Sequence, residues 1–242
     1  MSAELEYNLP TVNEFYPTTV QGSATFLFFS EALDDIFRLI DKHQRRCEQL
    51  SLQRDSATSD EAYLHSDFAF ETSHEIIELH LGNALVLCQY FISKIRQEHG
   101  SFLELKFGKG DQKKKLFPGS TGMHKVNLGN EIISNIEVIL HLANYFKHLD
   151  EWDANWLRSP PSPAGKNPKA AANMTQIALR KIAMELAPSN HHYTNPSLRD
   201  AVSIIGIKTL TISSLNTLKT QIQIWADAVY AEIQSMATAA AS

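Results

Sequence analysis

The run Asn144-Tyr145-Phe146-Lys147-His148-Leu149-Asp150-Glu151-Trp152 decides how this chain is read. On an α-helix each residue turns about 100°, so positions three, four, seven and eleven apart share a face. Glu137, His141, Asn144, His148, Glu151 and Asn155 fit that spacing and fall within roughly 40° of one line. Ile132, Ile136, Ile139, Ala143 and Phe146 occupy the opposite side as an apolar stripe suited to a core. Asn and His are poorer helix formers than the Glu, Lys, Gln and Arg that usually write a solvated face. Two histidines and an asparagine in mid-helix therefore point to groups with a task, against the plainer alternative of a wet helix face. The spacing predicts a helix over roughly 127–155. Ile136, Ile139, Ala143 and Phe146 should be buried in it, and Asn144 and His148 should line a cleft or a subunit interface.

The same periodicity extends in both directions along the chain. Residues 1–22 hold Pro10, Pro17 and Gly22 without a clear period and read as an arm lying on a single helical domain over 23–236. Phe26, Phe29, Leu33, Ile36, Phe37 and Ile40 mark a first helix running towards Arg54. The run Ser56-Ala57-Thr58-Ser59-Asp60 breaks it and supplies an N-cap for a second helix. Ile77, Leu81, Ala84, Cys88, Ile92 and Ile95 mark the buried side of that helix, and Gly100 should stop it. The proline-rich linker 158–168 cannot be helical inside, and Pro168 suits the first turn of a fourth helix through Ala178 and Ile182. Residues 198–212 fit either a helix or a short β segment. Leu218, Ile222, Trp225, Val229 and Ile233 mark a last helix, and residues 237–242 form a small-residue tail. The expected fold class is all-α, a bundle of about five helices.

Composition limits the function. The 242-residue chain, 43% hydrophobic and 20% charged, has the make-up of a globular protein. Its net charge of −5 excludes a general basic nucleic-acid coat, so any nucleic-acid contact must be local. Cys47 and Cys88 both lie in apolar helical patterns and read as buried free thiols, which suits a reducing cytoplasm. No signal peptide is expected at the N-terminus, and the apolar clusters read as too short for a membrane span.

Ala143-Asn144-Tyr145-Phe146-Lys147-His148 resembles the motif of the HEPN family, in which an arginine, a polar residue and a histidine follow one another within one helix. The longer run through Glu151-Trp152 is similar to an uncharacterised branch carrying N-x-x-K-H followed by E-W. The resemblance implies a small all-helical domain, HEPN-like, of a kind that often acts as a metal-independent endoribonuclease in toxin–antitoxin or antiviral systems. It implies a homodimer that brings two motif histidines into one cleft, with RNA as substrate, no cofactor, and an antitoxin protein as a possible partner. Asn144 matches the polar position and His148 the histidine. The family arginine would fall at Ala143, so Lys147 is the cation this reading relies on. The position two beyond the histidine is Asp150, where a tyrosine is modified in some toxin pairs, so that modification is not expected.

The residue chemistry agrees with those roles. An imidazole can take the proton of an RNA 2′-hydroxyl or give one to the leaving 5′-oxygen. A lysine is a capable point charge for phosphate, though a poorer fork than arginine. His148 is thus the candidate acid or base, Lys147 the phosphate clamp, Asn144 an orienting group, and Glu151 a carboxylate able to fix the His148 tautomer. Lys106, Lys109, Lys113, Lys114 and Lys115 crowd one glycine-containing loop, either a phosphate-binding arm or a solvated surface loop. A helical scaffold with no RNA role is one alternative, and two other readings stay open. One is a catalytically inactive HEPN-like module for dimerisation, RNA binding or partner binding. The other is a metal site at Glu71-x-x-His74 and Glu137-x-x-x-His141, although a carboxylate-bridged bundle needs two Glu-x-x-His pairs and here there is one.

Overall fold

The stripes of the first two helices meet each other. In a computed structural model, which describes residues 24–100, 125–128, 131–149, 170–186 and 197–240, α1 spans Ala24–Asp55 and α2 spans Asp60–Glu98. They form a long antiparallel hairpin. The Phe29 ring stacks on Phe91 with centroids 4.3 Å apart. At the other end Arg54 pairs with Asp67 at 3.2 Å. The Ser59 hydroxyl accepts the Ala62 N–H and starts α2, whose first turn carries Asp60 and Glu61 against the positive end of the helix dipole. Both cysteines are free and buried.

The rest of the chain packs around this hairpin. β1 (Lys125–Leu128) and β2 (Glu131–Ser134) pair antiparallel, Leu128 opposite Glu131. Then come α3 (Asn135–Lys147), α4 (Ala170–Leu186), α5 (Leu198–Ser203) and α6 (Ile212–Ala240). Trp225 of α6 is fully buried with Phe37, Leu33, Leu81 and Ile92 in one continuous core. Each such large side chain contributes roughly 1.5–3 kcal/mol by leaving water. Lys219 of α6 reaches Asp34 of α1 at 2.6 Å and fixes how the two helices lie.

The class is all-α, with six helices and one small hairpin among the described residues. One local expectation is corrected and one open alternative is settled. Residues 127–128 and 131–134 are not the start of a long third helix. They belong to the paired strands β1 and β2; the Gly-Asn sequence between those strands is of hairpin type, and Ser134 caps the helix after them. The Ser134 hydroxyl accepts the Glu137 N–H while the Glu137 carboxylate accepts the Ser134 N–H, a reciprocal capping box that places the helix start at Asn135. Residues 198–212 settle as the short α5 and a turn. Gly206 sits at φ +90°, which lets the Ile207 N–H fold back to the Val202 carbonyl and bury Ile207.

Of the described helices, α2 is long and apolar enough, by length and composition, to cross a membrane. Its Ile77, Leu81, Leu85, Cys88 and Ile92 are buried in the bundle, as in the core helix of a folded domain. Glu151, Lys109, Lys113, Lys114, Lys115 and the arm over 1–22 lie outside the described residues.

Candidate functional site

α3 is packed on two sides, by α2 and by α4, and this decides where its polar line goes. Ile136, Ile139 and Ala143 are buried as the spacing requires, and Phe146 is half-buried. Val138, Leu142 and Tyr145 are buried as well, so the apolar surface covers more of the helix than one stripe. Glu137 is used in the capping box. The His141 Nδ1 lies 3.3 Å from the Thr175 hydroxyl of α4. Asn144 turns the other way, where its Oδ1 accepts the Gln89 Nε2 hydrogen bond of α2 at 2.7 Å. The same Gln89 accepts from the Lys147 ammonium at 3.4 Å through its Oε1. One amide of α2 thereby ties Asn144 and Lys147 together.

α3 ends at Lys147, and His148 is its C-cap, with φ −115° and ψ 18° and its N–H returned to the Asn144 and Tyr145 carbonyls. His148 is half-buried and Lys147 exposed. The expected mid-helix histidine is therefore a helix-end histidine. A helix C-terminus offers carbonyls, the negative end of its dipole, so a phosphate at this place must be held by side-chain cations rather than backbone amides. Lys147, at the last position of α3, is an exposed cation at this end. Ala143 has no exposed surface, so an arginine at this position would point into the core and not at a phosphate.

A cleft of about 530 Å³ opens beside this helix end, walled by His74, Glu78, Tyr145, Phe146, Leu149 and Leu198 among others. Tyr145 and Phe146 of α3, with Leu149 just beyond it, supply one wall; neither Asn144, which faces Gln89, nor His148 lines the cleft. The Glu78 carboxylate accepts the Leu198 and Arg199 N–H groups at 2.7 and 3.1 Å, capping α5 from another helix. Burial, and then the Glu78 charge, push the Tyr145 phenol above its usual range. His74 Nε2 is 3.4 Å from the Arg199 guanidinium.

The metal reading loses its geometry here. Glu137 closes a cap, His141 faces Thr175 and His74 faces Arg199, and among the described residues no three His, Cys, Asp or Glu side chains gather around one point. Gln89, the bridge to Asn144 and Lys147, is not marked by any motif in the sequence. Its one signal is a lone amide inside the apolar run Val86-Leu87-Cys88-Gln89-Tyr90-Phe91-Ile92.

His141 carries a pH signature. Burial pushes its imidazole down to about 4, against roughly 6.5 in an unfolded chain. The folded state thus holds His141 neutral, while the unfolded chain binds a proton once the pH drops below about 6.5. Stability from this group is complete above that pH, falls as pH falls, and levels off below about 4. Between pH 7 and pH 5 the loss should be about 2 kcal/mol. Urea midpoints across that range should show it, and His141→Gln should flatten the profile. An unchanged slope in that variant would place the titration elsewhere.

No family model matches the chain, and neither a curated protein nor a solved structure does.

Proposed function

We propose that this chain is a HEPN-like, metal-independent endoribonuclease that acts as a toxin or an antiviral defence effector in the cytoplasm. The carrying observation is the end of α3. There Gln89 holds Asn144 and Lys147 together, and the exposed ammonium and the half-buried His148 imidazole are consecutive residues. In this reading the 2′-oxygen of RNA attacks the adjacent phosphorus, and its proton passes to one His148 imidazole. The bond from phosphorus to the 5′-oxygen breaks, and a second, protonated imidazole gives that oxygen its proton. Lys147 stabilises the charge that develops on the phosphorane. The products are a 2′,3′-cyclic phosphate and a 5′-hydroxyl.

One chain brings one His148, and the reaction uses an acid and a base, so the reading includes a homodimer with a two-fold contact near the end of α3. Leu79 and Leu149, both exposed at the rim of the cleft, supply apolar surface for that contact. The test is incubation of the purified full-length protein with single-stranded and structured RNA in EDTA, with end-group analysis. Cleavage that requires Mg²⁺, or that leaves a 3′-hydroxyl, rejects it. Leu149→Glu should convert a dimer seen by light scattering into a monomer and remove cleavage with it. A stable wild-type monomer at tens of micromolar would reject the two-histidine arrangement.

The alternative is a catalytically inactive HEPN-like module that binds RNA or a partner such as an antitoxin. The buried Ala143 favours it, because the position of the family arginine has no route to the surface.

A further inference from the structure

Away from α3, the exposed face of α1 gathers Arg38, Lys42, Arg45 and Arg46. With an α-helical turn of about 100°, these four fall within an arc of about 100° and span roughly 12 Å along the axis. They border a groove of about 670 Å³, closed on the far side by Ile212 at the start of α6. Two of the cations are already engaged: Arg38 with Asp35 at 2.6 Å and Arg45 with Asp41 at 2.8 Å. Among the described residues no carboxylate pairs with Lys42 or Arg46, and both are exposed. The first turn of α6 holds no acidic residue, so it does not cancel the charge.

His43 sits beside Lys42 and Arg46 on α1. It lines the groove, and its Nδ1 is buried with no hydrogen-bond partner among the described residues. Burial, followed by His80, Lys42 and Arg46, pushes its imidazole below the usual range. The His43 ring lies 6.3 Å from that of His80 on α2. His80 is about 3 Å along the α2 axis from Gly82, the residue that seats Phe146 at the end of α3. The groove and the candidate site thus stand at the same level of the bundle.

We propose that this groove binds the sugar–phosphate backbone of single-stranded RNA, with Lys42 and Arg46 as the two phosphate contacts. Charge complementarity selects the occupant. In a chain of net charge −5, two cations one turn apart, paired with no carboxylate among the described residues, face a groove, and arginine offers a phosphate a planar fork. Single-strand contacts of this kind are electrostatic and independent of base sequence. The proposal rests on RNA as the substrate class but not on cleavage.

The test is fluorescence anisotropy of a labelled 12-nucleotide RNA with the full-length protein in EDTA, repeated from 50 to 300 mM KCl. Lys42→Ala/Arg46→Ala should weaken binding about tenfold near physiological salt and reduce the slope of log K against log [KCl] by about 1.4, two phosphates at about 0.7 each. Lys42→Arg/Arg46→Lys should restore both, and unchanged circular dichroism should show that the alanine pair folds. RNA binding without cleavage by the wild-type protein keeps the groove and removes the nuclease reading. Cleavage with unaltered binding and slope in the alanine pair does the reverse. A wild-type protein that fails to bind the RNA overturns the groove. So does one that binds anionic phospholipid vesicles through Lys42 and Arg46 in place of RNA.

Discussion

His148→Ala should reduce RNA cleavage below detection while leaving the thermal midpoint within about a degree or two. A single general acid or base is worth about 10²–10⁴-fold, and in a two-fold assembly this one substitution removes both partners. The fold should survive, because His148 is half-buried at a helix end and its backbone N–H, which makes the capping contacts, is kept. Lys147→Ala should cost about 10²–10³-fold in kcat, the usual worth of one charge-stabilising donor. Lys147→Arg should retain or raise the rate, since guanidinium meets phosphate with two parallel donors. Gln89→Leu separates positioning from chemistry. It removes the amide that holds Asn144 and Lys147, so it should lower the rate without abolishing it. Cleavage that survives His148→Ala unchanged would end the catalytic assignment. Inactivity of the wild type on every RNA offered would favour the inactive module, with the buried Ala143 as its physical reason.

Much of the bundle is legible in the sequence because helical periodicity reports burial directly. α1, α2 and α6 put their spaced apolar residues into one core, and the Ser59 cap and the stop before Gly100 lie where their residue types suggest. The start of α3 departs from the periodic reading for a definite reason. Ile132, Ile136 and Ile139 continue the helical spacing backwards, and that period hides two local signals, the Gly-Asn link and the Ser134-x-x-Glu137 box. The described polar positions of α3 do not make a wet face. A helix enclosed by α2 and α4 must satisfy its polar groups against those neighbours, and His141 and Asn144 do so through Thr175 and Gln89. Spacing within one helix carries no information about which helix lies opposite. Gln89 is for that reason invisible from α3, and so is the wall of the cleft contributed by His74 and Glu78.

Gly82→Ala should destabilise the protein although alanine is the better helix former. In an open helix interior the substitution gains about 1 kcal/mol. Here a Cβ on Gly82 would overlap the Phe146 ring, which rests on the bare α2 backbone. Overpacking of this kind costs about 1–3 kcal/mol, and a flat ring held between Tyr145 and Lys147 cannot move without moving the last turn of α3. The urea midpoint should therefore fall by the difference, an amount equivalent to about 1 kcal/mol. RNA cleavage should fall at least about tenfold with it, because a shift of about 1 Å in a positioned group can cost 10²-fold. A double-mutant cycle isolates the contact. Phe146→Ala removes the ring, so Gly82→Ala on that background meets no clash and should be neutral or slightly stabilising. The coupling energy should be about 2 kcal/mol. Additive losses in the two single variants would show that the ring is not seated on Gly82, and the account of how α2 positions the end of α3 would then fail.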